Sequence, residues 1–161
     1  MPSGLRWAKA NIDLTTDSKF QEVDGVISPY KYECSFFSWG NTDGHNPDTS
    51  SSFTYNWGTN SSGNNYIYGN TTGSIITHNI SASIDAARVN LGAPWRMPTI
   101  YEFTELITNC DFLDASGNVI SGALSANKIV TLNGIRGIHL KSKVNDNSIF
   151  LPCCGYGGTD T

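Results

Sequence analysis

Apolar positions alternate along the first part of the chain, gather at helical spacing in the middle and alternate again near the end. In "GLRWAKANIDL" the apolar residues Leu5, Trp7, Ala8, Ala10 and Ile12 recur at roughly every second position, bounded by Gly4 and a turn region from Asp13 to Asp17, which predicts a strand. "YECSFFSWG" predicts another, with Cys34, Phe36 and Ser38 facing opposite to Phe37 and Trp39. "SASIDAARVNLG" carries a short-helix signature. Ser83 can cap, Asp85 suits the first turn, Ile84, Ala87 and Leu91 share a face, and Gly92 supplies the stop.

The stretch "WRMPTIYEFTELITNC" predicts a second helix opening at Thr99. Thr99 and Glu102 have capping-box spacing, in which each side chain satisfies a backbone N–H at the helix start. Phe103, Leu106, Ile107 and Cys110 fall at i, i+3, i+4 and i+7, one face directed at a core, and Glu105 and Thr108 fall off it. Further on, "KIVTLNGIRGIHLKSKVNDNSIFLP" predicts a β-meander with turns at Asn133-Gly134 and Asp146-Asn147. Strands, two helices and strands again predict an α+β domain.

Between these blocks, residues 41–73 are rich in Gly, Asn and Ser and carry Phe53, Tyr55, Trp57, Tyr66 and Tyr68. A polar run of this length inside a domain is usually functional or mobile, and its rings either anchor it to the core or stand out as contact residues. Composition extends this picture to the whole chain. Only 15% of the 161 residues are charged and 39% are hydrophobic, so Ser, Thr, Asn and Gly supply most of the polarity, as in a loop-rich extracellular or virion-type domain. The length fits one domain whose core needs neither metal nor disulfide. A net charge of −4 excludes a sequence-independent grip on phosphate backbones, so nucleic acid is not an expected partner. No stretch approaches the ~18 apolar residues of a membrane span, and the N-terminus shows no signal-peptide core.

Candidate chemistry is sparse. Glu102 and Glu105 lie one turn apart, as an acid/base pair could, but the cap accounts for Glu102 and a solvated face for Glu105. Asp43, His45 and Asp48 could offer cation ligands from one loop, yet lack an EF-hand pattern and sit among ordinary turn dipeptides. His78 and His139 have no nucleophile beside them in sequence. Cys34, Cys110, Cys153 and Cys154 match no zinc spacing; free, mostly buried thiols are expected, with three disulfide pairings formally open. The adjacent Cys153 and Cys154 read either as a redox or copper-binding pair or, preferably, as small apolar side chains where space is tight. The triplets beginning at Asn60, Asn70 and Asn79 fit glycosylation acceptors, as chance alone produces in so polar a chain.

With "PSGLRWAKANID", "SIDAARVNLGAPWRMPTIYEFTELITNC" and "NGIRGIHLKSKVNDNSIFLPCCGY" in that order, the sequence resembles the Fibrobacter succinogenes major paralogous domain family. The blocks cover most of the chain outside the polar loop. Arg96-Met97-Pro98-Thr99 with Glu102 and Phe103 is also similar to the Arg-Leu-Pro-Thr helix start of the broader superfamily, where the helix is scaffold. The resemblance implies a C-type-lectin-like domain related in fold to formylglycine-generating enzyme and found in Bacteroidetes and their phages. It would span residues 1–161, with two helices packed on a twisted antiparallel sheet, long loops and 41–73 as a loop insertion. Relatives have two small residues where this chain has Cys153 and Cys154. They continue beyond "GYGGTDT" into a final, often hypervariable section that is the ligand-binding face in members diversified by retroelements, so a piece of a longer protein is expected.

The catalytic cysteines of formylglycine-generating enzymes lie in that later section and the calcium tripeptides of sugar-binding lectins are not recognisable, so no catalytic residue, metal or cofactor carries over. The expected function is a non-enzymatic ligand-binding or adhesion module, secreted, on a cell surface or on a virion, meeting host or bacterial surface protein or glycan through loops. Trp57, Tyr66, Tyr68 and Tyr156 are the expected contact residues. The alternatives are a structural virion or fimbrial component meeting sister subunits, and an enzyme of the formylglycine-generating type, which would require a reactive thiol at Cys153 or Cys154.

Overall fold

The computed structural model describes residues 3–37, 42–44, 82–121 and 128–154. Among them the chain forms two helices and six strands, a mixed α+β architecture with antiparallel pairing throughout. It divides into two compact units, Met1–Cys34 with Tyr101–Thr161, and Ser35–Ile100.

The first unit is organised by one long strand, β5 (Ile135–Ser142). On one edge β6 (Ser148–Pro152) pairs along it, with His139 opposite Phe150. On the other edge lie β3 (Cys110–Leu113) and β4 (Ile129–Leu132), end to end: Leu113 pairs with His139 and Ile129 with the adjacent Ile138. β3 and β4 thus behave as one strand interrupted by residues 114–128, and the sheet is three strands wide at each level. The excursion leaves through a loop in which Asp114 accepts from the backbone N–H of Ser116 and of Asn118, both at 2.8 Å. It returns at Lys128, which is 2% exposed. A buried ammonium needs compensation; here it donates to the carbonyls of Ile120 and Ser121 and stands 5.1 Å from the centre of the Phe112 ring.

Because side chains alternate across a strand, the register sorts the core. One sheet face carries Cys110, Phe112, Ile138, Leu140, Ile149 and Leu151, and helix α2 (Ile100–Thr108) contributes Leu106 to that cluster, with Trp7 packed against it. The other face carries Leu113, Ile135, Gly137 and Phe150, with Tyr30 against Phe150 at a ring-centroid distance of 5.3 Å. Gly137 is the close approach that this face depends on. A Cβ there would lie 2.5 Å from the Leu151 carbonyl oxygen and against the Phe150 ring, so only glycine fits.

The meander forms as expected, its first turn carrying Asn133 and Gly134 at φ 50° and 80°, the left-handed pair that a tight hairpin needs. Several expectations are corrected. Residues 5–12 build no ladder and contribute only the bridge Ile12–Phe20, because Asn11 spends its backbone groups on Gln21. Residues 32–37 likewise belong to no named strand. Instead β1 (Glu22–Val23) and β2 (Val26–Ile27) form a small hairpin around Asp24-Gly25. Phe103 is 41% exposed rather than core, since its place beside the sheet is shared with Trp7, whose ring it meets edge-on at 5.7 Å. Cys110 is buried, but as the first residue of β3, not as the last of a helical stripe.

In the second unit, α1 (Ala86–Leu91) buries Ala86 and Ala87 and ends at Gly92, φ 77°. Its cap is Asp85, not Ser83. The buried carboxylate accepts from the Arg88 N–H at 3.0 Å and, at 2.9 Å, from the Met97 N–H. One side chain thereby starts the helix and fixes the Trp95–Pro98 segment that follows it.

Candidate functional site

The described residue set concentrates its polar chemistry in the first unit, where residues 11–21, 31–34 and 154 meet. The sequence "NIDLTTDSKFQ" folds into a compact loop because Asp13 captures it from within. Its Oδ1 accepts from the Thr15 N–H at 3.1 Å and hydroxyl at 2.6 Å, while the Thr16 hydroxyl donates to the Phe20 carbonyl at 2.8 Å. Asp13 Oδ2 has no hydrogen-bond donor but faces the Lys31 ammonium at 3.5 Å, an ion pair that joins the loop to residues 31–34.

Gln21 closes the loop and is 0% exposed. Its Oε1 accepts from the Asn11 N–H at 3.0 Å, and its Nε2 donates to the carbonyls of Lys31 and Glu33, both at 2.9 Å. Nε2 has two hydrogens, so these carbonyls use them, and the Cys154 sulfur at 3.6 Å receives the amide's dipole more than a full hydrogen bond. Asn11 supplies the full bond, its Nδ2 donating to Cys154 Sγ at 3.3 Å. Cys154 Sγ also lies 3.9 Å from the Lys31 carbonyl oxygen. The sulfur that follows β6 is thus set against the strip of chain ending at Cys34.

The two thiols are electrostatically unequal. The Cys34 thiol donates to Cys154, which, with the Asn11 and Gln21 amides and against partial burial, brings the Cys154 pKa down from an ordinary 9.0 to about 7. The same hydrogen bond, then burial, then repulsion from the Cys154 and Asp13 charges, pushes Cys34 far up. At neutral pH about half of Cys154 is thiolate, a far larger share than an ordinary cysteine has, so it is the better nucleophile of the two, with Cys34 the buried thiol. Cys110 is buried and pushed up chiefly by desolvation. Cys153 is exposed, and all four cysteines are free. The reading of Cys153 and Cys154 as apolar packing is therefore corrected: Cys153 reaches solvent and Cys154 belongs to a polar network.

The expected contact residues Trp57, Tyr66, Tyr68 and Tyr156 lie outside the described residues, as do His45, Asp48, His78 and the three possible glycosylation triplets. Asp43 is exposed. His139 stands in β5 with its Nδ1 buried and without a hydrogen-bond partner. Among the described residues no three His, Cys, Asp or Glu side chains come together as a metal-ligand set, and no helix is long and apolar enough to cross a membrane.

Glu105, expected on a solvated face, holds the N-terminal segment. Its two oxygens accept from the Ser3 N–H at 2.7 Å and the Ser3 hydroxyl at 2.6 Å, which lowers its pKa. Glu102 sits in the first turn of α2. Comparison with protein-family models, curated proteins and solved structures returns no match to this chain.

The thiol site was invisible to sequence reasoning because its parts are far apart along the chain: Cys154 and the Asn11 amide that bonds its sulfur are 143 positions apart. Gln21 carried no signal, since glutamine is ordinarily a surface residue. Asp24-Gly25, by contrast, is a hairpin dipeptide between valines that pattern alone could have found.

Proposed function

We propose that the chain is a binding module of C-type-lectin-like fold, of the Fibrobacter succinogenes major paralogous type, displayed on a bacterial surface or a phage particle and contacting protein or glycan. The observation that carries this reading is the division of labour on α2. Leu106 is rooted in the sheet and Glu105 restrains Ser3, while Tyr101 is 72% exposed and Phe103 only partly covered. A helix whose Glu105 serves the frame while Tyr101 faces water and Phe103 is part-exposed beside Trp7 is a presenting scaffold; exposed apolar side chains on a rigid element are a common feature of interaction surfaces. The loops on such a frame make the adaptable contacts, and Trp57, Tyr66, Tyr68 and Tyr156 are assigned to them.

The test is binding to a glycan array and to intact Bacteroidetes cells. The wild-type chain is compared with a variant in which those four aromatic residues are alanine. Saturable binding that the variant loses at unchanged thermal stability supports the reading; equal binding by both removes the assigned residues, and no binding on either surface removes the function.

The enzyme reading has one observation in its favour, the exposed Cys153 beside a Cys154 whose pKa is depressed. Thiol labelling does not separate the two readings, because Cys154 is expected to label in either. Conversion of a cysteine-containing peptide to formylglycine does: turnover establishes the enzyme, and intact peptide after prolonged incubation rejects it.

A further inference from the structure

We propose that Cys34 and Cys154 form a thiol–disulfide exchange site that takes a low-molecular-weight disulfide and closes into an internal disulfide, tying the chain after β6 to residues 31–34. The proposal does not depend on the binding-module reading. It stands on the placement of the Cys154 sulfur: 3.3 Å from the Asn11 amide, 3.6 Å from the Gln21 amide and 3.9 Å from the Lys31 carbonyl. Gln21 bonds the Lys31 and Glu33 carbonyls at 2.9 Å at the same time. These contacts hold the sulfur beside the residues that lead into Cys34, the group whose interaction contributes most to lowering the Cys154 pKa. The buried Gln21 amide thus holds residues 31 and 33 while lying against the Cys154 sulfur, which brings that sulfur to the stretch of chain ending at Cys34.

Exposure sets the order of events. Cys154 is half-buried and reachable, whereas Cys34 is 6% exposed, which leaves the neighbouring sulfur as its natural partner. The Cys154 thiolate attacks one sulfur of the small disulfide; that S–S bond breaks, one small thiolate leaves, and a mixed disulfide forms on Cys154. Loss of the Cys154 negative charge removes both the hydrogen bond and the repulsion that kept Cys34 protonated. Cys34 gives its proton to solvent and attacks Cys154 Sγ, and the second small thiolate leaves. Two protein thiols are oxidised and one small disulfide is reduced to two thiols, so electrons and atoms balance. Cys110, buried under Leu106 in the sheet core, takes no part. Cys153 is the competitor in principle, but a bond between adjacent cysteines strains the intervening peptide, whereas Cys34 follows directly on the residues held near the Cys154 sulfur.

The experiment equilibrates the full chain with glutathione disulfide at neutral pH, quenches with acid, and maps peptides by mass spectrometry. The expected result is a chain lighter by two hydrogens, with a crosslinked peptide pair containing Cys34 and Cys154. Cys153→Ser should leave that product unchanged, and Cys34→Ser should stop at a stable glutathione adduct on Cys154. Asn11→Ala should move the pH profile of adduct formation upward in a chain whose urea-unfolding midpoint matches the wild type, the match being required because unfolding by itself would also return Cys154 towards 9.0. A bond mapped to Cys153 and Cys154, or a wild-type chain that accumulates the adduct without closing, overturns the proposal, and neither observation requires a variant to fold.

Discussion

The inequality between Cys154 and Cys34 gives folding stability a pH dependence whose sign and size follow from the structure. Cys154 ionises near 7 in the folded chain against an ordinary 9.0. Between those values the unfolded state binds more protons than the folded one, so stability rises with pH. The contribution is fully present above about 9 and lost as pH falls through about 7. Taken at face value, that displacement is worth at most about 2.7 kcal/mol. The sulfur is only half-buried, however, and solvent screening brings the expected gain to roughly 1 kcal/mol. Cys34 acts in the opposite sense at higher pH. It is pushed far up, so above 9.0 the unfolded chain gives up a proton that the folded chain keeps, and stability falls; Cys110, also raised, adds to that fall. Urea unfolding of the reduced chain, followed by tryptophan fluorescence at intervals from about pH 6 to about pH 10, measures the curve. Subtracting the curve of Cys154→Ser removes histidine and terminal-amine contributions. The difference should climb by roughly 1 kcal/mol between about pH 7 and about pH 9. A difference that is flat or descending across that window would refute a folded-state thiolate at Cys154.

Three further expectations concern the frame. Gly137→Ala should cost at least about 2 kcal/mol in urea unfolding, because the added carbon meets the Leu151 carbonyl at 2.5 Å and the ladder holds that carbonyl in place; a cost below about 0.5 kcal/mol would mean that β6 gives way freely. Asp85→Ala should cost about 2 to 4 kcal/mol, combining a lost helix cap with an unsatisfied Met97 N–H. Faster amide exchange at Met97 is the local readout, and Asp85→Asn should restore much of the loss. Leu106→Ala should cost about 2.5 to 5 kcal/mol and Phe103→Ala about 1 to 3, the larger ring costing less because it is 41% exposed while the leucine is 2% exposed. The reverse order would place the core on the wrong side of α2.

What pattern revealed and what it hid divide on physical grounds. Asn133-Gly134 announced a hairpin because the turn itself demands positive φ, a local requirement that any reader of the chain can see. The boundary at Asn109 was hidden because two periods overlap there. Leu106 and Cys110 are four apart and face one core, which suits a helix, yet Cys110 reaches that core as the first residue of a strand. Burial at helical spacing does not distinguish a helix that continues from one that stops and hands its face to a strand. Phe103 fell to a related ambiguity. An apolar stripe shows which side faces inward but not how far the cover extends, and Trp7 closes only one edge of it. The glutamates were half legible: spacing put Glu102 in the first turn, but nothing local could show that Glu105 would find Ser3, 102 positions away.

The thiol site was the least legible because its parts serve two purposes at once. Gln21 spends both amide hydrogens on carbonyls, so the Cys154 charge rests on Asn11 and on the Cys34 thiol. Oxidation of the pair would remove that charge and leave the Asn11 amide facing a neutral sulfur, a loss of about 1 to 2 kcal/mol for a charge-assisted bond. Against it stands the covalent closure of a loop of roughly 120 residues, worth about 4 to 5 kcal/mol through the unfolded state. The closed form should therefore be the more stable one even though its hydrogen bonding is poorer. The thiolate that makes exchange fast at neutral pH is thus a group the finished disulfide can do without. That asymmetry is what a site that reacts once and then holds would require.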